Sequence, residues 1–281
     1  MSAKQELKLN NQVPVKLGTA TSNKYNTGTS KFLFVTDLDH TLVNHTVVGE
    51  DDALKELNNR LQKHRQEFGT KIVYATGRSP FLYQQLKEEK KLLEPDALVL
   101  AVGTEIYLDG SQTPDAEWSE KLSPGWNRDQ VLEVTSKFPE LKLQQDSEQR
   151  PFKVSFLIEE EAARKLIPQL ESELQKLGLM VKIIYSGGID LDILPRHSDK
   201  GQAVQFLRQK WQISPEQTVV CGDSGNDIAL FAAGTERGII VGNARPELLQ
   251  WHKENLLDYH YQAQNHCADG ILEGLRHFGF L

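Results

Sequence analysis

The sequence predicts an α/β fold: a doubly wound parallel-sheet (Rossmann-like) core carrying an inserted α+β cap domain. Three observations support this. Short apolar runs alternate with segments of helical periodicity, as in a parallel sheet covered by helices on both faces. Three of those runs stop abruptly at polar residues: 32–36 before Asp37 and Asp39, 72–75 before Thr76, and 218–221 before Asp223 and Asp227. Between the second and third of these lies a block of about 80 residues with a different pattern, within the usual size of a small domain. Strands that deliver polar groups at their C-terminal ends describe an α/β active site.

Taken in order, residues 1–30 are polar, rich in Asn, Thr, Ser and Lys, and are expected to form a flexible extension. They lack the apolar centre of a secretory signal and the arginines of a transit peptide. The first strand, 32–36, leads through a loop to residues 52–68, where Ala53, Leu54, Leu57 and Leu61 recur at helical spacing. Strand 72–75 runs into Thr76-Gly77-Arg78-Ser79-Pro80, which opens a helix through Phe81, Leu82 and Leu86. A third apolar run, 97–102, ends in Gly103-Thr104-Glu105. Residues 114–126 are rich in loop-formers and tryptophan. A helix over 128–138, a strand over 152–158, a helix over 160–177 and strands over 180–185 and 190–194 complete the inserted block. The parent pattern resumes with a helix over 200–210, a strand over 218–221, a helix over 227–233, a strand over 238–241 and a last helix over 269–278. The expected division is therefore a core of 31–111 and 192–281 with a cap of 112–191.

The bulk composition narrows the function. The 281 residues are 39% hydrophobic and carry a formal charge of −7, with a pI of about 5.7. Nucleic acid is a poor partner for that balance, since phosphate backbones demand clustered Lys and Arg. No apolar stretch approaches the roughly 20 residues that span a bilayer. Cys221 and Cys267 form no metal-ligand pattern, and Cys221 is expected to be a buried small residue. A soluble protein of a reducing compartment, the cytoplasm, is the expectation.

Asp37, at a strand end, can attack phosphorus in line and form an aspartyl-phosphate. Asp39, two residues on, can protonate the leaving alkoxide and then take a proton from the hydrolytic water. Four carboxylates in one crevice repel each other and repel a phosphate, so a hard divalent cation is expected, Mg2+ by its preference for one or two carboxylates, waters and a phosphate oxygen. Asp37, Asp223 and the Asp39 carbonyl are its expected ligands, with Asp227 and Asn226 orienting them from behind. Lys200, at a helix start, supplies a second positive charge, and Thr76 with nearby backbone N–H groups can hold phosphoryl oxygens. Alone, D-x-D could be a turn or a Ca2+ loop, and G-D-S-G-N-D a capped turn. Their order, each at the end of an apolar run, favours the catalytic reading. Serine hydrolase and dinucleotide readings fail for want of G-x-S-x-G and G-x-G-x-x-G.

The set D-x-D-x-T, T-G-R, a lysine after the insertion, and G-D-S-G-N-D resembles the haloacid dehalogenase superfamily of phosphatases. The resemblance implies Asp37 as nucleophile, Asp39 as acid/base, Thr76 and Lys200 as phosphate-binding partners, Asp223 and Asp227 as the acidic motif, and a type 2 cap. More narrowly, D-L-D-H-T-L-V, T-G-R-S-P-x-L-Y, A-V-G-T-E-I-Y, D-L-D-I-L-P, V-C-G-D-S-G-N-D, N-A-x-P-E-L-L-Q-W and the terminal H-F resemble the sucrose-phosphate phosphatase family. That implies hydrolysis of sucrose 6-phosphate, the last step of sucrose synthesis, and a transient complex with sucrose-phosphate synthase. Plant members carry an additional C-terminal domain; a chain stopping at Leu281 resembles bacterial members, and a cyanobacterial source is expected. Candidate substrate contacts are Thr41, Gly77, Arg78, Gly103, Thr104 and Glu105 from the core, and Lys153, Asp190 and Asp192 from the cap. Trp118, Trp126, Trp211 and Trp251 are expected in core or cap packing. The alternatives are a phosphatase of the same build for another sugar phosphate, such as mannosyl-3-phosphoglycerate or a trehalose precursor, or an inert scaffold subunit of the synthase.

Overall fold

The computed structural model describes residues 30–47 and 51–281. The expected N-terminal extension, apart from Ser30, lies outside them. Eleven strands and nine α-helices are present among the described residues. The core holds β1 (Leu33–Thr36), α1 (Asp52–Phe68), β2 (Lys71–Ala75), α2 (Pro80–Lys90), β3 (Ala97–Leu100), β4 (Glu105–Leu108) and α3 (Ala116–Leu122). The cap follows with α4 (Arg128–Thr135), β5 (Lys142–Leu143), β6 (Val154–Leu157), α5 (Glu160–Lys176), β7 (Val181–Ser186) and β8 (Asp190–Pro195). The core then resumes with α6 (Lys200–Lys210), β9 (Thr218–Gly222), α7 (Ile228–Ala232), β10 (Arg237–Ile240), α8 (Pro246–Glu254), β11 (His260–Gln262) and α9 (Cys267–His277). No helix among the described residues is long and apolar enough to cross a membrane.

The core sheet runs β11-β10-β9-β1-β2-β3-β4, parallel except for β4, which pairs antiparallel with β3. β1 is buried throughout and is flanked in register by β2 and β9, with Phe34 opposite Ile72 on one side and Val219 on the other. Such two-sided burial is why its sequence is an unbroken apolar run. The strand order reverses between β1 and β9, so a crevice opens beyond their C-terminal ends. Local signals set the helices. Asp51 caps α1 through Leu54 N–H at 3.1 Å, and Gly69, at φ 74°, closes it; Ser79 and Pro80 start α2.

The cap is a four-stranded antiparallel sheet, β5-β6-β8-β7, with α4 and α5 against it. Its apolar centre, including Val131, Phe156, Leu170 and Ile193, is separate from the two clusters that sandwich the core sheet. The expected boundaries move in two places. β8 keeps pairing with β6 and β7 through Ile193 and Pro195, past the expected return at 192. Trp118 and Leu122 of α3 pack into the core cluster that holds Ala203 and Phe206, so the expected start at 112 falls too early. We therefore propose a cap of about 123–195, compact enough for a small domain. The expected third run shortens as well: β3 stops at Leu100, and Ala101, Val102 and Gly103 turn at φ 51°, 60° and 94°.

That turn brings two segments into unusual contact. A Cβ on Gly103 would lie 2.2 Å from the Asp199 carbonyl carbon and 2.5 Å from the Lys200 nitrogen. Only glycine fits both the positive φ and this approach. Gly103→Ala is expected to destabilise the protein by roughly 2–4 kcal/mol, read as the midpoint shift in urea unfolding; a change within about 0.5 kcal/mol would contradict the packing.

Candidate active site

The crevice is a cavity of about 530 Å³ between the core strand ends and the cap. Asp37 follows β1, and its N–H donates to the Cys221 carbonyl at 3.0 Å, so β1 and β9 stay in register up to the site. Lys200, the first residue of α6, is fully buried. Its Nζ donates to Asp37 Oδ1 and to Asp227 Oδ1, both at 2.7 Å. Asp227 turns its other oxygen back on the loop, accepting from the N–H groups of Asp223 (3.0 Å) and Ser224 (3.1 Å). The Thr41 hydroxyl donates to Asp223 Oδ1 at 2.8 Å. These bonds fix Asp37 and Asp223 as neighbours while leaving Asp227 behind them.

The electrostatics are those of an over-acidic pocket. Burial pushes the Asp37 carboxyl well above the usual range; Lys200 opposes the rise, while Asp227, Asp223 and Asp39 add to it. Asp223 is pushed up to about 7, by burial first and by Asp227 second. Burial works against the charge of Lys200, but Asp227 and Asp37 outweigh it and hold the ammonium protonated. Carboxylate oxygens of Asp37, Asp223 and Asp227 lie within 4.8 Å of one another. The remaining oxygen of Asp223 has no hydrogen bond among the described residues, and buried Asn226 Oδ1 finds no donor there either. An all-oxygen set with excess negative charge and uncommitted acceptors fits a hard divalent cation.

Asp39 is arranged differently. Arg78 clamps it with Nε to Oδ2 and Nη2 to Oδ1, both at 2.7 Å, and His45 Nε2 reaches Oδ1 at 2.7 Å. Burial alone would raise its pKa, but the bonds from Arg78 and His45 prevail and lower it. Thr76 is buried, with its N–H on the Val99 carbonyl and its hydroxyl accepting from Arg78 N–H at 3.2 Å. Arg78, expected at the sugar, is thus engaged by Asp39.

From the cap, Lys153 Nζ reaches the Gly77 carbonyl (3.4 Å), Glu148 (3.5 Å) and Asp192 (3.7 Å). Asp192 also accepts from the Ser155 hydroxyl at 2.5 Å, and Asp190 accepts from Gln144 at 2.9 Å. Lys153, Asp190, Asp192, Gly77 and Arg78 all line the crevice.

Four expected sugar contacts do not. Gly103 packs on the Asp199–Lys200 backbone, and the Thr104 hydroxyl donates to the Ala101 carbonyl. Glu105 is bound by Arg150 Nε (2.7 Å) and Nη2 (3.1 Å) and by the Tyr107 hydroxyl (2.7 Å), and so ties the core to the cap. Thr41 is spent on Asp223. The sequence reading missed His40, His45, Gln144, Gln145, Glu148 and Arg245, which also line the crevice. His45 carries a weak signal, six residues after Asp39 in the same loop; the others are brought in by tertiary folding. None of the four tryptophans lines the crevice, and both cysteines are free and buried.

Comparison with known proteins agrees with this geometry. Residues 30–279 match the family described as sucrose-6F-phosphate phosphohydrolase. A probable sucrose-phosphatase 2 of Arabidopsis thaliana is 44% identical over 90% of this chain, which spans only 60% of the length of that relative. A mannosylfructose-phosphate phosphatase of Agrobacterium fabrum is 32% identical over 88% of this chain and 96% of its own. The X-ray structure of the sucrose-phosphatase of Synechocystis sp. in complex with sucrose and phosphate superposes with a TM-score of 0.81 at 41% identity, covering 90% of this chain and 99% of that one.

Because Asp223 holds its proton more tightly folded than unfolded, its stabilising contribution is full below about pH 4 and lost as pH rises through about 7. In metal-free protein, wild type is expected to lose several degrees of Tm relative to Asp223→Asn between about pH 5 and about pH 8. A divalent cation at roughly millimolar concentration should restore wild type and not the variant. Parallel calorimetric curves for the two proteins would contradict the assignment.

Proposed function

This chain belongs to the sucrose-6F-phosphate phosphohydrolase family, and from that premise we propose that it hydrolyses sucrose 6-phosphate to sucrose and phosphate through an aspartyl-phosphate on Asp37. What supports this above all is the placement of Asp37 between buried Lys200 and Asp223 at the floor of a crevice roofed by polar cap residues. The identity with sucrose-phosphatases, over most of this chain, supports the substrate.

In the first half-reaction a carboxylate oxygen of Asp37 attacks phosphorus while the phosphorus–oxygen bond to the sugar breaks, and Asp39 gives its proton to the departing alkoxide. In the second, Asp39 takes a proton from water as that water attacks phosphorus and the bond to Asp37 breaks. Lys200 and Thr76 hold phosphoryl oxygens, so that charge is met by donors already in place. Mg2+, held by Asp37, Asp223 and the Asp39 carbonyl, would supply the positive charge that lets the dianion sit among carboxylates. Asp227 and Asn226 position the Asp223 loop.

The sugar is read mainly by the cap. Lys153, Asp190 and Asp192, with Gln144 and Glu148, offer both donors and acceptors to hydroxyl groups. The activity is placed in the cytoplasm, for which two free buried cysteines are the support. A transient complex with the synthase that supplies the substrate belongs to the same proposal.

Asp37→Asn is expected to abolish phosphate release, and Asp39→Asn to cost on the order of 10²-fold or more in kcat. Acid-quench trapping should find phosphate on residue 37 in wild type and none in Asp37→Asn; label elsewhere would contradict the mechanism. In a Mg2+-supplemented panel, sucrose 6-phosphate should exceed mannosyl-3-phosphoglycerate, mannosylfructose phosphate and trehalose phosphate by about tenfold or more in kcat/KM. Equal rates on all would overturn the substrate.

A further inference from the structure

We propose that Arg245 is the capture residue of the crevice, the side chain that draws in the phosphoryl dianion of the substrate and grips it at the mouth of the site. This rests on the phosphatase reading and deepens it.

Six carboxylates line the cavity: Asp37, Asp39, Glu148, Asp190, Asp192 and Asp223. Against them stand three side chains of fixed positive charge, Arg78, Lys153 and Arg245. Two of those are committed. Arg78 gives Nε and Nη2 to Asp39 and Nη1 to the Leu82 carbonyl at 3.1 Å. Lys153 is bound to the Gly77 carbonyl and Glu148, and Lys200, buried at the floor of the site, is paired with both Asp37 and Asp227. The guanidinium of Arg245 alone among these has no hydrogen bond or ion pair with the described residues. Its five N–H donors are therefore available to an incoming anion, and guanidinium binds phosphate in a two-point fork.

The backbone of Arg245 is fixed where such a group is useful. Its N–H donates to the Asp223 carbonyl at 2.7 Å, and its carbonyl accepts from Leu249 N–H at 3.1 Å in α8. The side chain has room to turn. With His40 and Asp223, Arg245 also lines a second cavity of about 360 Å³, so it stands in a wall with open volume on both sides. Its charge already acts on both faces of the crevice. It opposes the rise that burial gives Asp223 of the core and Asp190 of the cap. A dianion entering a crevice with this surplus of carboxylates is repelled until a free cation meets it, and a fixed charge at the mouth acts on association and is screened by salt.

The test compares wild type with Arg245→Gln and Arg245→Lys, all metal-loaded. For sucrose 6-phosphate, Arg245→Gln is expected to raise KM about tenfold while kcat changes less than about threefold, with Arg245→Lys between the two. The inhibition constant for inorganic phosphate should rise in parallel, that for neutral sucrose should stay within about twofold, and the fall of kcat/KM with added NaCl should flatten. Calorimetric titration with inorganic phosphate reads the same loss without turnover. Should sucrose 6-phosphate fail as a substrate of wild type, the substrate reading falls, and a weakened phosphate titration in Arg245→Gln still upholds Arg245. A folded Arg245→Gln with unchanged phosphate affinity and salt dependence overturns the proposal. So does a loss confined to kcat. If the Gln variant fails to fold, Arg245→Lys with wild-type phosphate affinity and KM overturns it, and intermediate values uphold it.

Discussion

The buried ammonium of Lys200, held at 2.7 Å by both Asp37 and Asp227, is the interaction on which the rest of the site depends. A charge removed from water costs several kcal/mol unless it is paired and hydrogen-bonded, and here two carboxylates do both. The pairing also aligns three elements. It joins the end of β1 to the start of α6, and through Asp227 it fixes the loop after β9. The backbone gives way to allow it. Gly103 lets the Asp199–Lys200 segment approach, and a Cβ on Gly222 would lie 2.5 Å from that of Asp227. At both positions a side chain would collide with the segments that carry the pair, the Asp199–Lys200 backbone in one case and Asp227 in the other.

The cap is joined to this framework by a different kind of contact. Arg150 pairs with Glu105, Lys153 with the Gly77 carbonyl, and Lys182 of β7 with Asp199, the N-cap of α6. In each case a cap cation meets a core acceptor, while the buried apolar clusters of cap and core remain separate and Phe152 is the cap hydrophobic that packs against the core. Polar contacts of this sort exchange for water at little net cost, whereas burying a shared apolar core would lock the two bodies together. A cap with its own core and a mainly polar seam suits the proposed chemistry, in which the site admits a sugar phosphate and then excludes water.

The core strands and the ends of β1, β2 and β9 were legible because period and chemistry coincide there: an apolar run that stops at a carboxylate has few other meanings. Asp223 and Asp227 were read from the same signal, and Lys200 from a helix start after the insertion. The sugar-side expectations fared unevenly for a physical reason. Gly103, Thr104 and Glu105 adjoin an apolar run's end just as Thr76 does, yet β3 turns away through Ala101 and Val102 at positive φ, and β4 runs back antiparallel. Nothing in the local pattern announces that reversal. Arg150, the partner of Glu105, is 45 residues away, and such pairs leave no periodic trace. α8 did leave one, Pro246 at its first position ahead of Leu248 and Leu249, and α3 was hidden by its loop-like composition.

Asp39 poses the remaining problem of consistency, and the geometry offers its solution. The proposed chemistry needs this carboxyl protonated in the first half-reaction and ionised in the second. Arg78 and His45 hold it in the ionised form, ready to take a proton from water. A phosphoryl dianion placed beside Asp37 enters the field of the same guanidinium, because Arg78 also feels the charge of Asp37. With Arg78 still bound to Asp39, a dianion there adds a like charge beside Asp39, and a buried carboxyl that faces a new negative charge becomes a weaker acid. In the proposed chemistry substrate arrival pushes Asp39 toward the protonated form, and the proton it then gives to the departing alkoxide leaves it ionised, the base that the second task needs. In that scheme one residue serves as acid and then as base, because giving up its proton in the first step makes it the base of the second.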